Sequence, residues 1–147
     1  MNGYALDTNI ISFLLRGNRQ LQERVYWEAN SGKGVIVPPI AYYEVKRGLI
    51  NYHAPAKLAA FERLCILLGV DVMDIETLDK AANIYAALKK IGRLIEDSDI
   101  FIAASCLAHG YTLITDNTRH FKQIEELQLT NWSHGDQDEE TIFDVME

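Results

Sequence analysis

Four acidic residues stand where strands end or helices begin: Asp7 after a short apolar strand, Glu44 on a helix, Asp99 opening an apolar helix, and Asp116 after another strand. Carboxylates gathered at one rim of a sheet have a common use, which is to hold a hard divalent cation such as Mg²⁺ or Mn²⁺. Tyr4, Ala5 and Leu6 read as a strand that stops at Asp7-Thr8-Asn9, and Ile10, Ile11, Phe13, Leu14 and Leu15 supply the apolar helix that follows. The pattern recurs late in the chain, where residues 111–114 form a β-prone run followed by Thr115-Asp116-Asn117 and a short helix through Phe121. In open α/β sheets the ligand crevice lies outside the carboxyl ends of the strands, at a topological switch point, so Asp7 and Asp116 are expected to converge.

The helix after Asp99 is apolar on both sides, with Ile100, Ala103, Ala104 and Leu107 on one and Phe101, Ile102 and Cys106 on the other. Such a helix is buried nearly all round. An ionised carboxylate at its start needs a partner, a metal or the helix dipole to offset its desolvation. Residues two apart do not share a helix face, so Asp97 is assigned to the N-cap and Asp99 to the site; the plainer alternative makes Asp99 part of the cap. Pro38-Pro39 starts the helix carrying Glu44, with Ala41, Val45 and Leu49 on its buried face. Alone, Glu44 reads as a surface acid paired with Arg47; its weight comes from a position that lets its helix cross the same sheet rim.

These elements fit one domain over residues 1–132, followed by an acidic tail, residues 133–147, that is expected to be mobile. Strands expected near 3–6, 34–37, 70–74, 111–115 and 127–131 alternate with helices, which implies an α/β fold with a central parallel sheet of about five strands. Residues 54–69 and 76–91 carry amphipathic helices, and Leu78, Ala81, Ala82, Tyr85, Leu88 and Ile91 are expected to form the core side of the second. No apolar run is long enough to span a bilayer, and Asp7 interrupts the N-terminus before a signal-peptide core is complete. Cys65 and Cys106 lie inside apolar helices as small core residues, which fits a reducing cytoplasm rather than a disulfide framework. The histidines, His53, His109, His120 and His134, are scattered without zinc-ligand spacing. His120 alone stands near a candidate acid, and a catalytic role for it is the lesser expectation.

The net charge of −7 taken whole argues against a nucleic-acid partner, but six acids and no Lys or Arg fall after Trp132, leaving fifteen acids against fourteen bases before it. Away from the four candidate acids, Lys46, Arg47, Lys89, Lys90, Arg93, Arg119 and Lys122 suit a basic rim for phosphates, with Lys46, Arg47, Arg119 and Lys122 the chosen RNA contacts. The competing reading is ordinary solvated helix surface. One function for the tail is to shield that rim by mimicking a polyanion. Tyr42, Tyr43 and Tyr52 suit base stacking, although packing against a neighbouring helix or a dimer partner is preferred for them.

Together, Asp7-Thr8-Asn9, Glu44 followed by Gly48, Asp99-Ile100-Phe101-Ile102-Ala103-Ala104 and Leu113-Ile114-Thr115-Asp116-Asn117 with Phe121 make the chain resemble the PIN-domain nucleases. Within them it is similar to the VapC-type toxins of toxin–antitoxin pairs. The resemblance covers about residues 3–132 and departs at Pro39, where many relatives carry a serine. It implies a parallel sheet in an α/β/α sandwich, and metal-binding, catalytic acids at Asp7, Glu44, Asp99 and Asp116 with Thr8 and Asn117 in support. It also implies Mg²⁺- or Mn²⁺-dependent RNA cleavage, a homodimer and a small antitoxin partner.

Four clustered carboxylates raise one another's pKa unless a cation neutralises them, so hydrolysis of a phosphodiester by metal-activated water is expected, giving 5′-phosphate and 3′-hydroxyl ends. Two rivals stand beside this reading. A phosphatase with Asp7 as nucleophile, like the haloacid-dehalogenase-like enzymes, would need an acid two residues later, where this chain has Asn9. A non-catalytic module that binds RNA or a partner would keep the fold without the chemistry.

Overall fold

A computed structural model describes residues 3–132. The order of elements is β1 (Tyr4–Leu6), α1 (Thr8–Leu15), α2 (Arg19–Ala29), β2 (Val35–Ile36), α3 (Pro39–Asn51), α4 (Pro55–Leu68), α5 (Ile75–Lys90), α6 (Asp97–His109), β3 (Thr112–Ile114), α7 (Thr118–Phe121) and β4 (Leu129–Thr130). The strands form one parallel sheet in the order β2-β1-β3-β4, covered by helices as an α/β/α sandwich. The chain passes from β1 to β2 on one side and later returns to β3 on the other. The β1–β3 boundary is therefore the switch point, whose carboxyl end is where such sheets place a ligand crevice.

Four strands replace the expected five. Residues 70–74 contribute a single parallel bridge, Val37 to Val70, because Asp71 and Asp74 turn to His109 and the N-terminus of α5 instead of extending the ladder. The register of α5 also differs from the sequence reading. Its core face is Thr77, Ala81, Ile84 and Leu88, while Leu78 (41% exposed), Tyr85 (42%) and Ile91 (56%) face outward. Two apolar stripes share this helix, and periodicity alone did not separate the one packed on α6 from the one left open.

The central core lies where α6 meets the sheet. Ile100, Ile102, Ala103, Ala104, Ser105 and Cys106 are all buried, so this helix is enclosed nearly all round, as its composition requires. Gly110 adopts φ 79°, ending α6 in the left-handed conformation that turns the chain directly into β3. Both cysteines are free and buried. Among the described residues, no helix is long and apolar enough to cross a membrane. The acidic tail lies outside the described residues.

Candidate functional site

Asp7 ends β1 and caps α1, two jobs that fix its carboxylate at the crevice. Its backbone N–H donates to the Ile114 carbonyl (2.9 Å), continuing the Leu6–Ile114 register and setting residues 115–117 beside it. The Thr8 N–H donates to Oδ1 and the Thr115 hydroxyl to Oδ2, each at 2.8 Å, and the residue is only 5% exposed. Burial pushes the Asp7 carboxyl up to about 6. The hydrogen bonds from Thr115 and Thr8 act against that shift, while the negative charges of Asp99 and Asp116 add to it. Two of the other predicted acids thus act on Asp7 electrostatically.

Asp116 is half-buried, and its Oδ1 is shut off from solvent without a hydrogen-bond partner among the described residues. Leaving a buried acceptor unsatisfied costs on the order of 1–3 kcal/mol, more for a charged group, which a cation would offset. Asp99 lies in the first turn of α6, half-buried, with Oδ2 2.9 Å from His120 Nε2. The cap assignment changes here: Glu96 is the N-cap, without a side-chain bond, and Asp97 is an exposed first-turn acid. Asp97 gains its place from the helix dipole and Asp99 its place from His120.

Glu44 joins through Thr8, whose hydroxyl donates to Oε1 at 3.0 Å. Its pairing with Arg47 is long, 3.9 Å, and solvent-facing, so it contributes little. Asn117 supports the site through its backbone, its N–H donating to Thr115 Oγ1 at 3.0 Å and so fixing the hydroxyl that holds Asp7. Thr115 itself escaped the sequence reading, although it precedes Asp116 directly. The donor set is all oxygen, which fits Mg²⁺ or Mn²⁺.

A second cluster was missed altogether. Among the described residues, the acids and histidines whose ligand atoms lie within 4.8 Å of one another are Asp74, Glu76 and His109, a group with the donor types and spacing to hold a metal ion. No three of the four predicted acids approach that closely. His109 reaches this group from the end of α6, with Nδ1 2.5 Å from Asp71 Oδ2 and Nε2 2.8 Å from Asp74 Oδ2. Burial alone would lower the His109 pKa, but its bonds to Asp71 and Asp74 outweigh that and raise it. Asp74 caps α5 and accepts from the Thr77 hydroxyl (2.7 Å) and N–H (2.9 Å), which with His109 hold its carboxyl down at about 2. The acids at 71, 74 and 76 were visible in the sequence; their meeting with position 109 was not.

The four chosen RNA contacts divide. Lys46 donates to the Tyr42 hydroxyl (2.9 Å), and Arg47 lies over the Tyr43 ring, so both are engaged along α3. Arg119 and Lys122 instead line a concavity of about 510 Å³ with Arg93 and His120. Tyr42 packs on Phe61 of α4, as preferred, while Tyr52 is 82% exposed and lines a separate concavity with Thr8 and Glu44. Burial pushes the Cys65 thiol up to about 11 and raises that of Cys106 too, so neither is an activated nucleophile.

Comparison with known proteins agrees with this fold. The PIN domain family model matches residues 4–127. Ribonuclease VapC2 of Haemophilus influenzae is 32% identical over 132 residues, covering 88% of this chain and 97% of that protein. The tRNA(fMet)-specific endonuclease VapC of Shigella flexneri is 28% identical, with coverage of 88% and 98%. The DNA-bound VapBC structure from Salmonella typhimurium superposes with a TM-score of 0.82 at 25% identity, covering 90% of this chain and 99% of that one. The chain therefore belongs to the PIN-domain family and, within it, to the VapC-type proteins.

Proposed function

We propose that this protein is a metal-dependent endoribonuclease acting as the toxin of a toxin–antitoxin pair. The observation that carries the reading is the convergence of Asp7, Asp99 and Asp116 at the switch point without a lysine or arginine paired to any of them among the described residues. Asp7, Asp99 and Asp116, with Glu44 through Thr8, would hold Mg²⁺ or Mn²⁺. When bound, such an ion supplies the positive charge that lowers the pKa of a water and stabilises phosphoryl oxygens. Thr115 and the Thr8 N–H aim the Asp7 carboxylate, Asn117 locks Thr115, and His120 orients Asp99. With both Asp7 oxygens so engaged and no acid at position 9, attack by Asp7 on phosphorus is disfavoured.

Two surfaces suit the proposed partners. An apolar concavity of about 540 Å³ between α1, α2 and α4, lined by Leu14, Val25, Tyr26, Leu64 and Leu67, suits the antitoxin. The outward stripe of Ile75, Leu78 and Tyr85 on α5 suits a second copy. The test is incubation of total cellular RNA with the antitoxin-free protein and Mn²⁺, beside Asp99→Asn and a chelator. Discrete fragments with 5′-phosphate ends, lost in both controls, are expected. Intact RNA with folded, Mn²⁺-loaded protein would leave a non-catalytic binding module.

A further inference from the structure

We infer that the concavity between the α5–α6 connector and α7 is a phosphate subsite, gripping the RNA backbone at a phosphodiester beside the one cleaved. Arg93, Arg119 and Lys122 line it, and no carboxylate does. None of the three pairs with an acid among the described residues. In a chain of net charge −7, three exposed cations gathered on one carboxylate-free hollow make a local positive field that favours an anion there. Two other concavities differ. The one beside Glu44 sets Arg16 and Lys57 against that acid, and the one along α5 sets Lys80 and Lys90 against Glu125.

Position gives the hollow its role. His120 forms part of its wall and also contacts Asp99 at 2.9 Å, so the cations and the acid cluster share a boundary. Asn117 and Gln123 add amide donors. Gly92, with φ +69°, also lines the hollow, and beyond its chain neighbours no atom lies within 4 Å of the place a Cβ would take. A strand of RNA crossing the carboxylates therefore meets positive charge on the α7 side, where a neighbouring phosphate docks and sets the register of the bond presented to the acids.

This subsite rests on the nuclease reading for its place in the reaction, and its test separates the two. Full-length protein in EDTA is titrated with a fluorescein-labelled single-stranded RNA decamer across a salt series. Wild type is compared with Arg93→Gln/Arg119→Gln/Lys122→Gln and with a charge-matched control, Arg19→Gln/Lys33→Gln/Lys80→Gln. The subsite variant is expected to bind at least about tenfold more weakly than the control and to reduce the slope of log K against log salt by roughly two. With Mn²⁺ restored, it should raise KM more than it lowers kcat. Equal affinity and slope in the two variants would overturn the subsite even if wild type cleaves. Loss of binding in the subsite variant alone, with no cleavage by wild type, would keep the phosphate site and remove the nuclease reading.

Discussion

The acids around β1 and β3 and those at the head of α5 are built from the same residue types, yet a histidine bridges two acids in the second group, whereas in the first His120 reaches Asp99 alone. At the head of α5, His109 spans Asp71 and Asp74, and Thr77 donates twice to Asp74, so the Asp74 carboxyl is held down at about 2. At the switch point the Asp7 carboxyl is pushed up to about 6 by burial, with Asp99 and Asp116 adding to the rise, and Asp116 keeps a buried oxygen without a partner among the described residues. A compensated cluster ties α6 to the start of α5 and stabilises the fold. A cluster in which Asp7 and Asp116 have no basic partner among the described residues is held against its own repulsion by the fold around it, which is the arrangement expected where a cation belongs.

Asp99→Asn should break the switch-point cluster most severely, lowering RNA cleavage on the order of 10²–10³-fold or more while leaving thermal stability unchanged or higher. Single-turnover cleavage and a melting curve measure both. Thr115→Val removes the hydroxyl that aims Asp7 and should lower Mn²⁺ affinity or cleavage roughly 10- to 100-fold. Thr115→Ser should restore most of it. A role confined to packing would spare the serine variant no better than the valine.

The pH dependence of stability sharpens the same contrast. Because the folded-state pKa of Asp7 is raised from 3.8 to about 6, its ionised form is penalised in the metal-free fold at neutral pH. That penalty disappears as pH falls through 6 toward 4, a gain on the order of 2–3 kcal/mol. Urea titration in EDTA should therefore show this part of the stability rising on acidification, and Asp7→Asn should abolish it. His109 has the opposite sign. Its raised pKa gives stability that is complete below the unfolded value and lost as pH rises through the folded one. His109→Gln should accordingly destabilise by about 1–3 kcal/mol at pH 6, less at alkaline pH, and leave cleavage within about twofold of wild type.

The strand-end acids were legible because position along a parallel strand is written in local order. A short apolar run, an acid, then an apolar helix places Asp7; a second apolar run followed by Thr115-Asp116-Asn117 and a short helix places Asp116, and burial all round places Asp99. What was not legible depended on contacts between distant positions. His109 meets Asp71 and Asp74 only because α6 packs along α5, and residues 70–74 lose their strand to that meeting. The two apolar stripes of α5 differ by about one residue in phase, so composition could not name the buried one. The grouping of the basic residues was hidden for a similar reason: charge was visible in the sequence, but not that Lys46 and Arg47 contact tyrosines while Arg93, Arg119 and Lys122 share one hollow.

Calorimetric titration of the full-length protein with Mn²⁺ at pH 7.5, run on wild type, Asp7→Asn and His109→Gln, tests the central claim most directly. Binding should survive in His109→Gln and be lost or weakened at least about tenfold in Asp7→Asn. Binding that survives in Asp7→Asn and disappears in His109→Gln would place the metal at the head of α5 and contradict the assignment of the catalytic acids.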